Sequence, residues 1–133
     1  MNTFADLVKN LFAFLEADFQ FIPENTDENR VEYKSPHLHV LFGWYKGEID
    51  VDFYVQAETE ILVPYRTRMF RLYEVVRCYD KHALESAPRF PNYITTLDDC
   101  RRELKFAAKV MRAYCADVLN GDIAVFEKLA SRS

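Results

Sequence analysis

The chain predicts an α+β fold: an N-terminal helix, a three-stranded antiparallel meander, then about three helices packed on one sheet face. Three observations lead there. The first fifteen residues place apolar side chains at helical spacing. Three consecutive segments between Val31 and Val55 show the period-2 alternation of half-buried strands. From Pro64 onward the spacing returns to the helical period. Consecutive strands joined by short turns cannot be parallel, because a parallel pair needs a long crossover. An apolar sheet face needs a cover, and the helices supply it.

The first helix starts at Thr3, which with Asp6 resembles a capping box. Phe4, Leu7, Val8, Leu11 and Leu15 form its stripe, Phe12 widens it, and the helix fades near Asp18. "IPENTDENR", residues 22–30, reads as an acidic loop, since Pro, Asn and Asp occur there without periodicity. Strands follow at 31–34, 38–45 and 48–55, with Lys46-Gly47 as a two-residue turn. That turn opposes Trp44 to Ile49, Phe42 to Val51, Val40 to Phe53 and Leu38 to Val55. A slip of one residue would mix the faces. A reverse turn near Ser35-Pro36 opposes Tyr33 to Leu38 and Val31 to Val40. Residues 64–79 read as a helix with Met69, Leu72, Tyr73, Val76 and Tyr79 on one side, and 85–93 as a Pro-containing connector. Thr96 with Asp99 starts a long helix whose stripe runs Leu97, Cys100, Leu104, Ala108, Met111, Cys115 and Leu119. Gly121 follows its end. Asp122 caps a last helix with Phe126 and Leu129 inward.

A length of 133 residues suits one domain, 1–133. Half of the residues are hydrophobic, with eleven Phe and eight Tyr, which argues against disorder. Cys78, Cys100 and Cys115 are odd in number and have no metal-type spacing, which fits a reduced, cytoplasmic setting. The N-terminus lacks the basic-then-apolar order of a signal peptide, and no apolar run reaches the length of a membrane span. With only Gly43, Gly47 and Gly121 there is no phosphate-cradling loop or dinucleotide fingerprint. No nucleophile elbow is present. The cysteines fall within helical patterns, where a buried small hydrophobe is the usual role. No catalytic residue and no cofactor is implied.

The strand pairing produces a second, polar face. It carries Glu32 and Lys34, then His37, His39, Leu41, Gly43 and Tyr45, then Glu48, Asp50, Asp52, Tyr54 and Gln56. This register sets His39 beside Glu32 and Tyr54, and Leu41 beside Asp52. A solvated face of an antiparallel sheet shows such alternation by default. Exposed tyrosines shift the reading toward a protein partner, because aromatics are enriched at interfaces. The candidate partner surface is Tyr45, Glu48, Asp50, Asp52 and Tyr54, extended by Glu24, Asp27 and Glu28 of the acidic loop. His37, His39 and Asp52 form an alternative metal-ligating set.

Charge divides the chain. Residues 1–60 carry twelve Asp or Glu against four Lys or Arg, and residues 61–133 carry nine against thirteen, within a net charge of −4. Arg101, Lys105, Lys109 and Arg112 form one basic stripe, and Arg66, Arg68, Arg71 and Arg77 add to it. One short stripe in an acidic chain without an aromatic RNA-reading motif argues against nucleic acid as the partner.

The segments "FLEADFQF", "VEYKS", "YKGEIDV" and "LNGDIAVFEKL", in this order, resemble the layout of small uncharacterised bacterial α+β proteins, some regarded as toxin-immunity proteins. The resemblance covers most of the chain and carries no functional residue with it. It implies a small protein-interaction protein that masks a toxin. An acidic surface suits a basic toxin domain through steering and charge complementarity. The alternatives are a metal-dependent enzyme and a homodimeric structural or ligand-binding protein.

Overall fold

A computed structural model describes residues 3–55, 69–90 and 92–130. It is α+β: helices α1 (Phe4–Leu11) and α2 (Phe14–Phe19), then strands β1 (Ile22–Asp27), β2 (Arg30–Lys34), β3 (Leu38–Tyr45), β4 (Glu48–Val55) and β5 (Met69–Arg71). Helices α3 (Leu72–Tyr79), α4 (Leu97–Tyr114), α5 (Ala116–Leu119) and α6 (Ala124–Ala130) follow. The strands form one antiparallel sheet in the order β1-β2-β3-β4-β5. The expected meander is therefore its middle, with one more strand on each side.

Thr3 caps α1, its hydroxyl accepting from the Asp6 amide at 3.1 Å. The first helix then breaks at Phe12 and Ala13 instead of running to Asp18. Phe12, Phe14 and Leu15 are all buried. Three bulky residues so spaced do not share one helical face, so the chain re-aims to bury them. Gln20 closes α2 in the left-handed region, φ 56°.

Residues 22–27 are an edge strand, where the sequence predicts a loop. Its composition hides it. Pro23 is tolerated because an edge strand leaves one side unpaired. Asn25 adopts φ 44°, and the register shifts between Glu24 and Asp27. Charged residues and this irregularity blunt the edge.

Strands β3 and β4 pair in the predicted register, from Leu38 with Val55 to Tyr45 with Glu48. Lys46 and Gly47 both take positive φ, 51° and 80°, as a type I′ turn requires. Strand β2 is displaced by two residues from the expected pairing: Tyr33 faces Val40 and Val31 faces Phe42. The cause is the Ser35–Leu38 turn, where the Ser35 amide donates to the Leu38 carbonyl at 2.8 Å. A shift of two preserves the faces, so the buried set is as expected.

Residues 69–71 are a strand, not part of a helix. Phe70 pairs with Phe53 and is buried against Phe126, ring centroids 4.9 Å apart. Met69 and Tyr79, expected inward, are exposed. The predicted helix start at Pro64 lies outside the described residues, as do Arg66 and Arg68. Thr96 caps α4 by accepting from the Asp99 amide at 3.1 Å. Helix α4 buries Cys100, Leu104, Ala108 and Met111 as predicted, and Phe106, Ala107 and Val110 as well. That second stripe exists because α4 is central, touching α1, α3 and β4. Gly121 follows α5 at φ 105°, and the Asp122 carboxylate accepts from the Ala124 amide at 3.0 Å.

All helices contribute to one core on the Val31–Tyr33–Val40–Phe42–Phe53–Val55 side of the sheet. No described helix covers the other face. Among the described residues, no helix is long and apolar enough to cross a membrane.

Candidate functional site

The pairing arranges the face that no described helix covers in rows across the strands. One row is Ile22, Lys34, His39, Tyr54 and Met69. The next is Glu24, Glu32, Leu41, Asp52 and Arg71. A third is Arg30, Gly43 and Asp50, and Tyr45 with Glu48 ends the face at the hairpin turn. Alternation along each strand forces this grouping, because side chains two apart share a face.

The first row is apolar at its ends and aromatic within. Ile22 is 66% exposed and Met69 47% exposed. His39 stands edge-on to Tyr54, ring centroids 5.8 Å apart. Most of the charge lies in the second and third rows. Glu24, Glu32, Glu48, Asp50 and Asp52 outnumber the cations Arg30, Lys34 and Arg71 on this face.

Two small networks organise these groups. His39 Nδ1 lies 2.5 Å from Glu32 Oε1, and Asn25 Nδ2 donates to Glu32 Oε2 at 3.2 Å. Burial raises the Glu32 carboxyl, but the hydrogen bonds from Asn25 and His39, with the charges of His39 and Arg30, outweigh it, leaving it below its usual value. Arg71 donates to Asp50 at 3.3 Å. Asp52 has no ion-pair partner among the described residues. Burial raises its carboxyl above the usual aspartate value, and the nearby Asp50 charge adds to the rise.

These side chains surround a notch of about 190 Å³ lined by Arg30, Glu32, Leu41, Gly43, Asp50 and Asp52, among others. Its floor is open because residue 43 has no side chain.

The structure brings most of the sequence-predicted residues together. Glu24, Asp50, Asp52 and Tyr54 share the face. Tyr45 and Glu48 lie at its end, where Tyr45 is 71% exposed and Lys46 Nζ sits 5.3 Å over its ring. Asp27 and Glu28 lie at the neighbouring β1–β2 turn, with Asp27 Oδ1 accepting from the Asn29 amide at 2.9 Å. His37 departs from the face: it sits in the β2–β3 turn, its ring against Gly121. Among the described residues, the convergent ligand set is Glu24, Glu32 and His39, with ligand atoms within 4.8 Å of one another, and His37 and Asp52 are not in it. Asn25, Arg30 and Arg71 were not legible as site residues, because their strands were unread or their partners unplaced.

The basic stripe of α4 is exposed, as its spacing predicts. Part of it is engaged locally. Arg101 bonds Asp98 at 3.2 Å, and the Arg112 guanidinium lies 5.1 Å over the Phe14 ring. Because α4 packs on the core side of the sheet, this stripe lies opposite the acidic face. Compared with protein-family models, with curated proteins and with solved structures, the chain matches none.

Proposed function

We propose that the uncovered sheet face binds a protein partner with a basic surface, and that the chain is a small interaction protein of the immunity type. The observation that carries this reading is a regular sheet face that no described helix covers, bearing half-buried carboxylates beside a row with exposed apolar ends. Such a face supplies what an interface core needs: apolar area at Ile22, Tyr54 and Met69, and charge at Asp50 and Asp52. Carboxylates on this face steer a cationic partner and set its register. The resemblance to immunity-type proteins supports the same direction.

The test is amide hydrogen exchange of the chain with and without its captured partner. Protection confined to β2, β3 and β4 supports the reading. Protection confined to the exposed side of α4 overturns it.

A second reading is a divalent-metal site, favoured by the convergence of Glu24, Glu32 and His39. One imidazole and two carboxylates suit a borderline cation such as Zn²⁺ or Mn²⁺. Calorimetric titration with each ion separates the readings: saturable one-to-one binding lost in His39→Ala supports a metal, and absence of heat removes it.

A further inference from the structure

We propose that the notch floored by Gly43 and Leu41 is the seat of one arginine side chain presented by the protein partner. This rests on the sheet face being the docking surface, and it names the group that enters.

Gly43 is the first argument. It lies in the middle of β3, where glycine weakens a strand and gives nothing to pack. Its backbone does not need glycine, since only Gly47 and Gly121 take positive φ among the described glycines. Space does not need it either: a Cβ at this position would meet nothing within 4 Å. Gly47 is the contrast, where both conformation and contact exclude a side chain. A strand-interior glycine with no internal reason marks a place where something from outside approaches closely.

Charge complementarity is the second argument. Around that floor stand Glu32, Asp50 and Asp52, and Arg30, opposite Gly43, lines it too. Glu32 is already held by His39 and Asn25, and Asp50 by exposed Arg71. Asp52 is half-buried and beside Asp50, and among the described residues it makes no ion pair: its cross-strand neighbour Arg71 bonds Asp50 and only partly offsets the Asp52 charge. A cation placed there relieves both carboxylates. A guanidinium suits it better than an ammonium. It is weakly hydrated, so entering a recess costs it less, and its planar fork bridges two carboxylates. The aliphatic stem would lie on Leu41.

The probe is N-acetyl-arginine amide, titrated into the ¹⁵N-labelled chain and read by amide chemical shifts. Its citrulline counterpart is the neutral control. The expected result is saturable millimolar binding with shifts centred on Leu41, Gly43, Asp50 and Asp52, absent with citrulline. Gly43→Val should abolish the shifts and raise the urea midpoint, because a β-branched residue fills open space on a strand. Asp52→Asn should weaken binding at least tenfold with the spectrum otherwise unchanged, and it keeps the test valid if Gly43→Val misfolds. Equal shifts with citrulline, or shifts spread over all surface carboxylates, overturn the proposal. So does binding seen only after Arg30→Ala, which would show that Arg30 fills the notch. If arginine fails while the partner still protects the sheet face, this notch assignment falls and the docking surface stands. If arginine binds while the partner protects α4, the docking reading falls instead.

Discussion

Replacing Gly47 by alanine tests the geometry that holds the end of the candidate face. Gly47 sits at φ 80°, and a Cβ there would lie 2.2 Å from Tyr93 Cβ. A rotamer change cannot relieve a clash between two Cβ atoms, so the backbone around Tyr93 has to retreat. That segment is tied to the hairpin by two bonds. The Ile94 amide donates to the Gly47 carbonyl at 2.8 Å, and Trp44 Nε1 donates to the Ile94 carbonyl at 2.9 Å. The left-handed conformation costs alanine about 1 kcal/mol. Each lost hydrogen bond costs about 1 kcal/mol net. Together the loss is roughly 2–4 kcal/mol if both bonds are weakened or broken. With a urea m-value of about 2 kcal/mol/M, the midpoint falls by roughly 1–2 M. Equilibrium urea unfolding followed by Trp44 fluorescence measures this. Gly47→Ala combined with Tyr93→Gly should recover the part due to the clash and not the part due to φ. A single variant within about 0.5 kcal/mol of the parent would refute the argument, because surface substitutions away from such features fall in that range.

Other substitutions probe different parts of the structure. Phe53→Ala, at a fully buried ring between sheet and α6, should cost about 3–5 kcal/mol in the same assay. Thr96→Ala removes the hydroxyl that accepts from the Asp99 amide and should cost about 1 kcal/mol. The Tyr33 hydroxyl is buried without a partner among the described residues, and burial together with the Glu16 charge pushes it up to about 12. Tyr33→Phe should therefore be neutral or stabilising, and a loss above about 1 kcal/mol would show that the hydroxyl is bonded. Asp52 and Glu32 predict opposite pH effects. Asp52 is raised in the fold, so its contribution to stability declines as pH rises from its unfolded value through its folded one, and Asp52→Asn should flatten that decline. Glu32 is lowered, so its contribution is present above its unfolded value near 4.5 and is lost as pH falls through its folded one. Thermal unfolding of the parent, Asp52→Asn and Glu32→Gln across pH 3–7 reads both, and the wrong sign in either variant contradicts the assignment.

The central hairpin was legible because two signals agreed: strict alternation in 48–55 and a two-residue turn ending in glycine. The polar face followed directly, since alternation alone places Asp50, Asp52 and Tyr54 together. The outer strands were not legible. Strand β1 is built from Pro23, Asn25 and Asp27, residues that favour turns, and only pairing with β2 makes it extended. Strand β5 has three residues, too few for any periodicity, and Met69 happens to fall in step with the helix that follows. Because β1 was read as a loop, Glu24 had no place beside Glu32, and the convergence with His39 was not visible. His37 was assigned to the face by alternation continued one step too far into a turn.

The account stands most directly on the affinity of the captured partner for three forms of the chain: the parent, Asp50→Asn/Asp52→Asn, and Lys105→Ala/Lys109→Ala. Isothermal titration at two salt concentrations measures it. The account predicts at least a tenfold loss for the acidic-face variant, greatest at low salt, and no change for the α4 variant. A partner that ignores the aspartates and loses affinity with the lysines would contradict it.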